Sequence, residues 1–323
     1  MMKTRKLRDI EVSEVGMGCM AFSHGYGKIP DEQYSIEAIR NAFAHGCTFF
    51  DTAEVYSPNL SGIGHNEKIV GKALKDVRDQ TVIATKLFLD SSEARRAGSV
   101  YKAVRRHLEA SMERLQTDMV DLYYLHRTGS VPVEDVAEAM GRLLDEGLIR
   151  GWGLSQVDTN VIEKANAVTP LSAVQNIYSM VERDVEKSVI PFCLENNIGV
   201  VPFSPIASGL LSGKITTETK FEKNDDVRNL VPQLSKSNIA GNQPIIDLLA
   251  EYAEKKNATS AKISLAWMLK KYPNVVPIPG SKNKERIIEN LDASLVELSD
   301  EEFRNLDDTL NTLKVYGHRG FTR

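Results

Sequence analysis

Apolar residues recur along the chain in two rhythms that take turns. Short runs of β-branched and aromatic residues, such as Thr48-Phe49-Phe50 and Thr81-Val82-Ile83-Ala84-Thr85, suit buried strands. Longer stretches with apolar positions three and four apart suit amphipathic helices. Strands are predicted at 15–20, 48–50, 81–85, 119–125, 149–154, 172–174, 200–203 and 275–279. Helices are predicted at 31–45, 66–74, 99–115, 133–146, 160–167, 187–195, 244–255, 260–271, 283–290 and 300–310. Gly46 and Gly147 stand where two of them should stop. Ahead of the first strand, Arg5-Lys6-Leu7, Asp9 and Glu11-Val12-Ser13 read as a short hairpin. Strict strand–helix alternation implies a parallel sheet, and eight such units imply a closed α/β barrel. The expectation is therefore one (β/α)8 domain over residues 1–323, with an N-terminal hairpin and extra C-terminal helices. Residues 207–242 break the rhythm. They are rich in Gly, Lys, Asp and Asn, and a loop of that length in a compact domain is usually functional or disordered.

Composition adds exclusions. The 323 residues are 42% hydrophobic and 26% charged, with a net charge of −4. That is ordinary globular composition with no nucleic-acid or anionic-membrane footprint. No apolar run is long enough to span a bilayer, and the basic start of the chain lacks the apolar core of a signal peptide. Cys19, Cys47 and Cys193 are few, odd in number and far apart, so they are expected as reduced thiols in a cytoplasmic protein. Six scattered histidines and no ligand-spaced motif predict no bound metal.

Polar residues gather where strands end. In Phe49-Phe50-Asp51-Thr52-Ala53-Glu54-Val55-Tyr56 an acid closes the strand and a phenol follows in the loop. Lys86 closes the next strand and His126 the one after. A lone tyrosine, lysine, histidine or aspartate in such a place is more often a packing residue, a solvated charge or a turn cap. Four of them at neighbouring strand ends of a barrel face one pocket. A phenol keeps its proton at neutral pH, and a lysine ammonium beside it makes it a better acid. A carboxylate would hold that lysine charged, and a histidine could donate to a substrate oxygen. The set gives a proton donor and an oxyanion site without a strong nucleophile, which suits carbonyl reduction by a hydride-bearing cofactor. Gly16-x-Gly18-x-x-Ala21 fits the dinucleotide fingerprint, but Ser23, Gly25, Gly27 and Pro30 follow where a helix would have to open. Those glycines are expected instead as tight backbone near the site.

With these residues in hand, the chain resembles the aldo-keto reductases over nearly its whole length. Asp51-Thr-Ala-x-x-Tyr56, Lys86 and His126 resemble that family's tetrad. The resemblance implies Tyr56 as proton donor, Lys86 and Asp51 as its tuning pair, and His126 as the residue orienting the carbonyl. It further implies NADPH/NADP+ as cofactor and a small carbonyl compound as substrate. Ser155 and Gln175 resemble the nicotinamide carboxamide contacts, with Gln156 where asparagine is frequent. Phe203-Ser204-Pro205 resembles the aromatic segment that stacks on the nicotinamide, and Ser208, Gly209 and Leu210 resemble pyrophosphate contacts. Gly280, Ser281, Lys282, Arg286, Glu289 and Asn290 resemble the 2′-phosphate and adenine site. Gly280 stands where many members have lysine, so Lys282 is expected to take over that charge.

Two other readings stay open on sequence. A Schiff-base aldolase also uses a lysine at a barrel strand end. A non-catalytic partner subunit of the same fold would keep the cofactor site. The loops around 22–28, 56–64 and 127–130, and the tail 314–323, carry no readable substrate code, and the oligomeric state is equally hidden.

Overall fold

Alternation along each strand decides what fills the barrel. The computed structural model describes residues 2–58 and 62–320. Two antiparallel strands, β1 (Thr4–Leu7) and β2 (Ile10–Ser13), form the expected hairpin. Seven parallel strands follow in sequential order: β3 (Met17–Gly18), β4 (Phe49–Asp51), β5 (Val82–Leu87), β6 (Val120–Leu125), β7 (Ile149–Ser155), β8 (Ala173–Gln175) and β9 (Gly199–Val200). Every second residue points into the lumen. Phe49, Val82, Ala84, Leu122, Tyr124, Ala173, Val201, Val276 and Ile278 pack there with Leu7, Ile10 and Val12 of the hairpin. The hairpin thus plugs the end at which the strands begin.

The eighth strand is present without a regular ladder. Residues 275–280 run between β9 and β3, with parallel bridges Val200↔Val275 and Gly18↔Gly280. Val276 and Ile278 donate to Val200 and Pro202 on one side. On the other side Pro277 and Pro279 accept from Gly16 and Gly18 but have no N–H to return. Half of that ladder is chemically impossible, so the barrel closes along a sparse seam. A Cβ on Gly18 would lie 2.8 Å from the Ile278 carbonyl oxygen, and one on Gly280 would lie 2.9 Å from that of Gly18. Gly16 and Gly18 therefore serve close strand approach, and only a short 3-10 turn at Met20–Phe22 follows them.

Between the strands lie α1 (Glu32–Ala44), α2 (His65–Leu74), α3 (Ser91–Ala97), α4 (Val100–Leu115), α5 (Val133–Asp145), α6 (Thr159–Val168) and α7 (Val189–Glu195). Side-chain caps fix several starts: Asp31 accepts from Gln33 and Tyr34, and Ser99 from Lys102. The helix α3 has no counterpart in the predicted elements. Its seven residues are too few to display a period, although Asp90 caps it and Gly98, at φ +84°, ends it. The stretch 207–242 also differs from a structureless loop. It holds 3-10 turns at Ala207–Ser212, Val227–Leu230 and Pro232–Leu234, and α8 (Lys236–Gly241). The chain continues through α9 (Gln243–Lys255), α10 (Ser260–Lys271), α11 (Lys284–Leu291) and α12 (Asp300–Thr312). Positions 59–61 of the 56–64 loop and 321–323 of the tail lie outside the described residues. Among the described residues no helix is long and apolar enough to cross a membrane.

Candidate active site

The pleat that fills the lumen also builds the site. Two residues past Phe49, Ala84, Tyr124, Ala173, Val201 and Ile278 come Asp51, Lys86, His126, Gln175, Phe203 and Gly280. Each strand thus carries its inward phase one step further and, except at Gly280, presents a polar or aromatic group in the topmost layer. On β7 the inward phase is Gly151, Gly153 and Ser155. A Cβ on Gly153 would lie 2.5 Å from the Tyr124 ring, so glycine there makes room for that ring.

Lys86 is fully buried, and Nζ donates to Asp51 Oδ1 at 2.5 Å, to the Thr52 carbonyl at 2.7 Å and to Tyr56 Oη at 3.4 Å. Gln175 Nε2 donates to the other carboxylate oxygen, Asp51 Oδ2, at 2.8 Å. Burial pushes the Asp51 carboxyl above its usual range, against the pull of Lys86 and Gln175. Burial also works against the Lys86 charge, but the Asp51 carboxylate and Tyr56 outweigh it and lift its pKa above 10.5. For Tyr56 the balance differs from the sequence expectation. Burial raises the phenol above 10.0, and the Lys86 ammonium only offsets part of that rise.

His126 completes the group. Its ring lies edge-on to Tyr56 at 5.8 Å between centroids and against Phe88 at 4.6 Å. Burial, with Lys86 and Arg127 adding to it, holds its pKa well below 6.5, so the imidazole is neutral. Nδ1 is buried without a hydrogen-bond partner among the described residues. All four residues expected at the strand ends therefore meet, and Gln175 joins them by a contact that spacing does not reveal.

A buried carboxylate that sequence did not single out braces this corner. Glu54 accepts from the Phe88 backbone at 2.9 Å and from His107 Nδ1 at 2.8 Å. His107 Nε2 lies 3.0 Å from Glu93. The Tyr56 loop is thereby tied to the end of β5, to α4 and to α3.

Beside this group a cavity of about 350 Å³ extends over the seam. Ser204, Pro205, Ser208, Gly209, Gly280, Ser281, Lys282, Arg286, Glu289 and Asn290 line it. Ser155, Gln175 and Phe203 belong to the layer at the barrel mouth, outside that lining. Leu210 is fully buried in the core and lies outside that lining. The turn is strained to present itself: Ser204, Ala207 and Ser208 have φ of +50°, +47° and +55°. Ser208 Oγ is buried without a partner among the described residues, which fits a site for a polar ligand. Arg286 makes no ion pair among the described residues. Lys282 is engaged: Nζ donates to the Tyr26 and Lys28 carbonyls, both at 2.7 Å. It clasps the loop after β3 to the start of α11, and its charge is not free in the way the sequence suggested. Lys214 and Arg228 line the same cavity and were missed. Both lie in the aperiodic 207–242 stretch, where no pattern tells which basic residues turn inward.

Known proteins share this fold. A probable aldo-keto reductase 1 of Glycine max is 36% identical over 314 residues, covering 96% of this chain and 88% of that protein. Among solved structures, the glycerol dehydrogenase of Gluconobacter oxydans superposes with a TM-score of 0.83 at 27% identity, covering 99% of this chain and 96% of that one. An aldo/keto reductase of Klebsiella pneumoniae, crystallised with NADP and acetate, superposes with a TM-score of 0.74 at 27% identity, covering 99% of each chain. The model of the Aldo/keto reductase family matches residues 14–311, and the chain belongs to that family.

Proposed function

We propose that the protein is an NADP-dependent oxidoreductase that reduces an aldehyde or ketone to the alcohol, with Tyr56 as proton donor. The observation that carries this reading is the disposition of Lys86. Its three N–H bonds are directed at Asp51, Thr52 and Tyr56, and Asp51 holds it charged. An ammonium so placed is no amine nucleophile, which disfavours the Schiff-base alternative. It instead stabilises the phenolate left when Tyr56 gives up its proton.

When bound, NADPH supplies the hydride. The orphaned Ser208 Oγ, the strained turn around it and the cations lining the cavity suit its phosphates. Phe203 would stack on the nicotinamide, with Ser155 and the Oε1 end of Gln175 holding its carboxamide. Ser208, Gly209 and Leu210 would meet the pyrophosphate, and Gly280, Ser281, Lys282 and Arg286 the 2′-phosphate end. Glu289 and Asn290 would meet the adenine. A relative from Klebsiella pneumoniae crystallised with NADPH supports this choice of cofactor. At the carbonyl, the neutral His126 donates one hydrogen bond and Tyr56 the second, so charge building on the substrate oxygen is met by two donors. The proton then passes from Tyr56 to that oxygen, and the Lys86–Asp51 pair steadies the phenolate.

The test is NADPH consumption with simple aromatic and aliphatic aldehydes, alongside cofactor binding by fluorescence titration. Turnover with product alcohol is the expected result. Tight NADPH binding without turnover on any carbonyl would overturn it in favour of a non-catalytic partner subunit.

A further inference from the structure

Arg127 follows His126 directly and leans across the mouth of the barrel. Its Nη1 donates to the His126 carbonyl at 2.7 Å and to Ser155 Oγ at 3.1 Å. The guanidinium is thus fixed between the ends of β6 and β7, beside the tetrad. Its Nε and Nη2, the side-on fork that suits a carboxylate, have no hydrogen-bond partner among the described residues. It is partly buried, and burial lowers its pKa, with the Tyr56 phenol beside it pulling the other way. Another arginine at this end of the barrel, Arg319, is different. Its backbone N–H donates to the Glu182 carboxylate, and its Nε donates to Ser204 Oγ at 3.2 Å.

A partly desolvated guanidinium without a carboxylate is an unfavourable arrangement unless an anion visits it. The surroundings do not supply one: Tyr56 holds its proton, His126 is neutral, and Asp51 is committed to Lys86 and Gln175. The fork is rigid, because Nη1 is tethered at both the backbone of His126 and the hydroxyl of Ser155.

We propose that Arg127 is a specificity residue that binds an anionic substituent of the substrate, so the substrates favoured are aldehydes or ketones that also carry a carboxylate. This rests on the reductase reading above. The carbonyl is held by Tyr56 and His126, and the carboxylate is taken side-on by Nε and Nη2 of Arg127. A site built to pair a charge discriminates strongly against an analogue that lacks it, since the arginine is then left unmatched.

The experiment compares the ortho, meta and para isomers of carboxybenzaldehyde with the matching nitrobenzaldehydes, which have similar shape and no charge. For at least one isomer, kcat/KM should favour the carboxylate by about tenfold or more. In Arg127→Gln that preference should collapse toward unity, mainly through KM, and Arg127→Lys should restore part of it. A second readout, independent of turnover, is the NADPH dissociation constant of the variant. A loss there as large as the loss in kcat/KM would show that Arg127 serves the cofactor and would overturn the proposal. Reduction of the nitrobenzaldehydes with no carboxylate advantage at any isomer would overturn this inference alone. Absence of turnover on every aldehyde, with NADPH bound, would instead overturn the reductase reading and this inference with it.

Discussion

Gln175 Nε2 donates to Asp51 Oδ2 at 2.8 Å across 124 positions of sequence, so one carboxylate faces both Lys86 and the residue expected at the nicotinamide. Replacing Gln175 by Leu leaves a buried carboxylate oxygen without its donor. The expected cost is about 1.5–3 kcal/mol of stability, the range for hydrogen bonds to charged groups. Urea unfolding measures it, and a loss below about 0.5 kcal/mol, within the range of surface substitutions, would show that the contact is dispensable.

Tyr56→Phe and Lys86→Met should separate chemistry from folding. Removing the phenol hydroxyl should lower turnover by at least ~10²–10⁴-fold while leaving cofactor affinity and stability near wild type. Removing the ammonium should cost activity and also about 3–5 kcal/mol of stability, because Asp51 is then a buried charge without its partner. Equal stability of the two variants would contradict the buried-pair geometry.

His107 gives the stability a pH dependence. Burial opposes its charge, but the Glu54 and Glu93 carboxylates outweigh burial and raise its pKa above 6.5. A group whose folded pKa is raised contributes stability that is full below its unfolded value. That contribution is lost as pH rises through the folded pKa. Wild type should therefore exceed His107→Asn in stability most below pH 6.5, with the gap narrowing at higher pH. Urea midpoints across a pH series test this, and a gap that widens with pH would refute the assigned pairing.

Cofactor choice should rest on Arg286 more than on Lys282. Arg286→Ala is expected to weaken NADPH binding by about 1.5–3 kcal/mol and to leave NADH nearly untouched. Lys282 is held by the Tyr26 and Lys28 carbonyls, so Lys282→Met should chiefly loosen the contact between that loop and its neighbours. That loop also pairs with the 207–242 stretch, since Gly27 donates to Asp225 and Val227 to Gly25. Hydrogen exchange over both segments should rise in the variant and fall when NADPH is added. If Lys282→Met instead abolishes NADPH preference with unchanged exchange, its charge reads the phosphate after all.

Much of this was legible because the lumen is written in alternate residues. Val82 and Ala84 place Lys86, and Leu122 and Tyr124 place His126, so a polar residue two past an apolar one marks the mouth. What stayed hidden has a common cause in tertiary contact. The net rise in the Tyr56 pKa depends on how completely the phenol is buried, which no spacing reports. Lys282 looked like a free cation until the fold brought two carbonyls from the loop after β3 to it. Lys214 and Arg228 sit in turns whose direction is set by packing. The helix α3 was too short to show a period, and the eighth strand was recognised in its apolar run while its missing ladder follows from two prolines.

That seam has a mechanical consequence. A closed hoop yields first at the joint with the fewest rivets, and here the joint lies between β3 and residues 275–280. The cavity straddles it, with Ala21 and Tyr26 on one rim and Pro279 and Gly280 on the other. A guest seated across both rims fastens the hoop where Pro277 and Pro279 withhold their own bonds. Occupancy of the cavity is therefore also a clamp on the barrel itself, and the molecule should stiffen from its seam outward when the cavity fills.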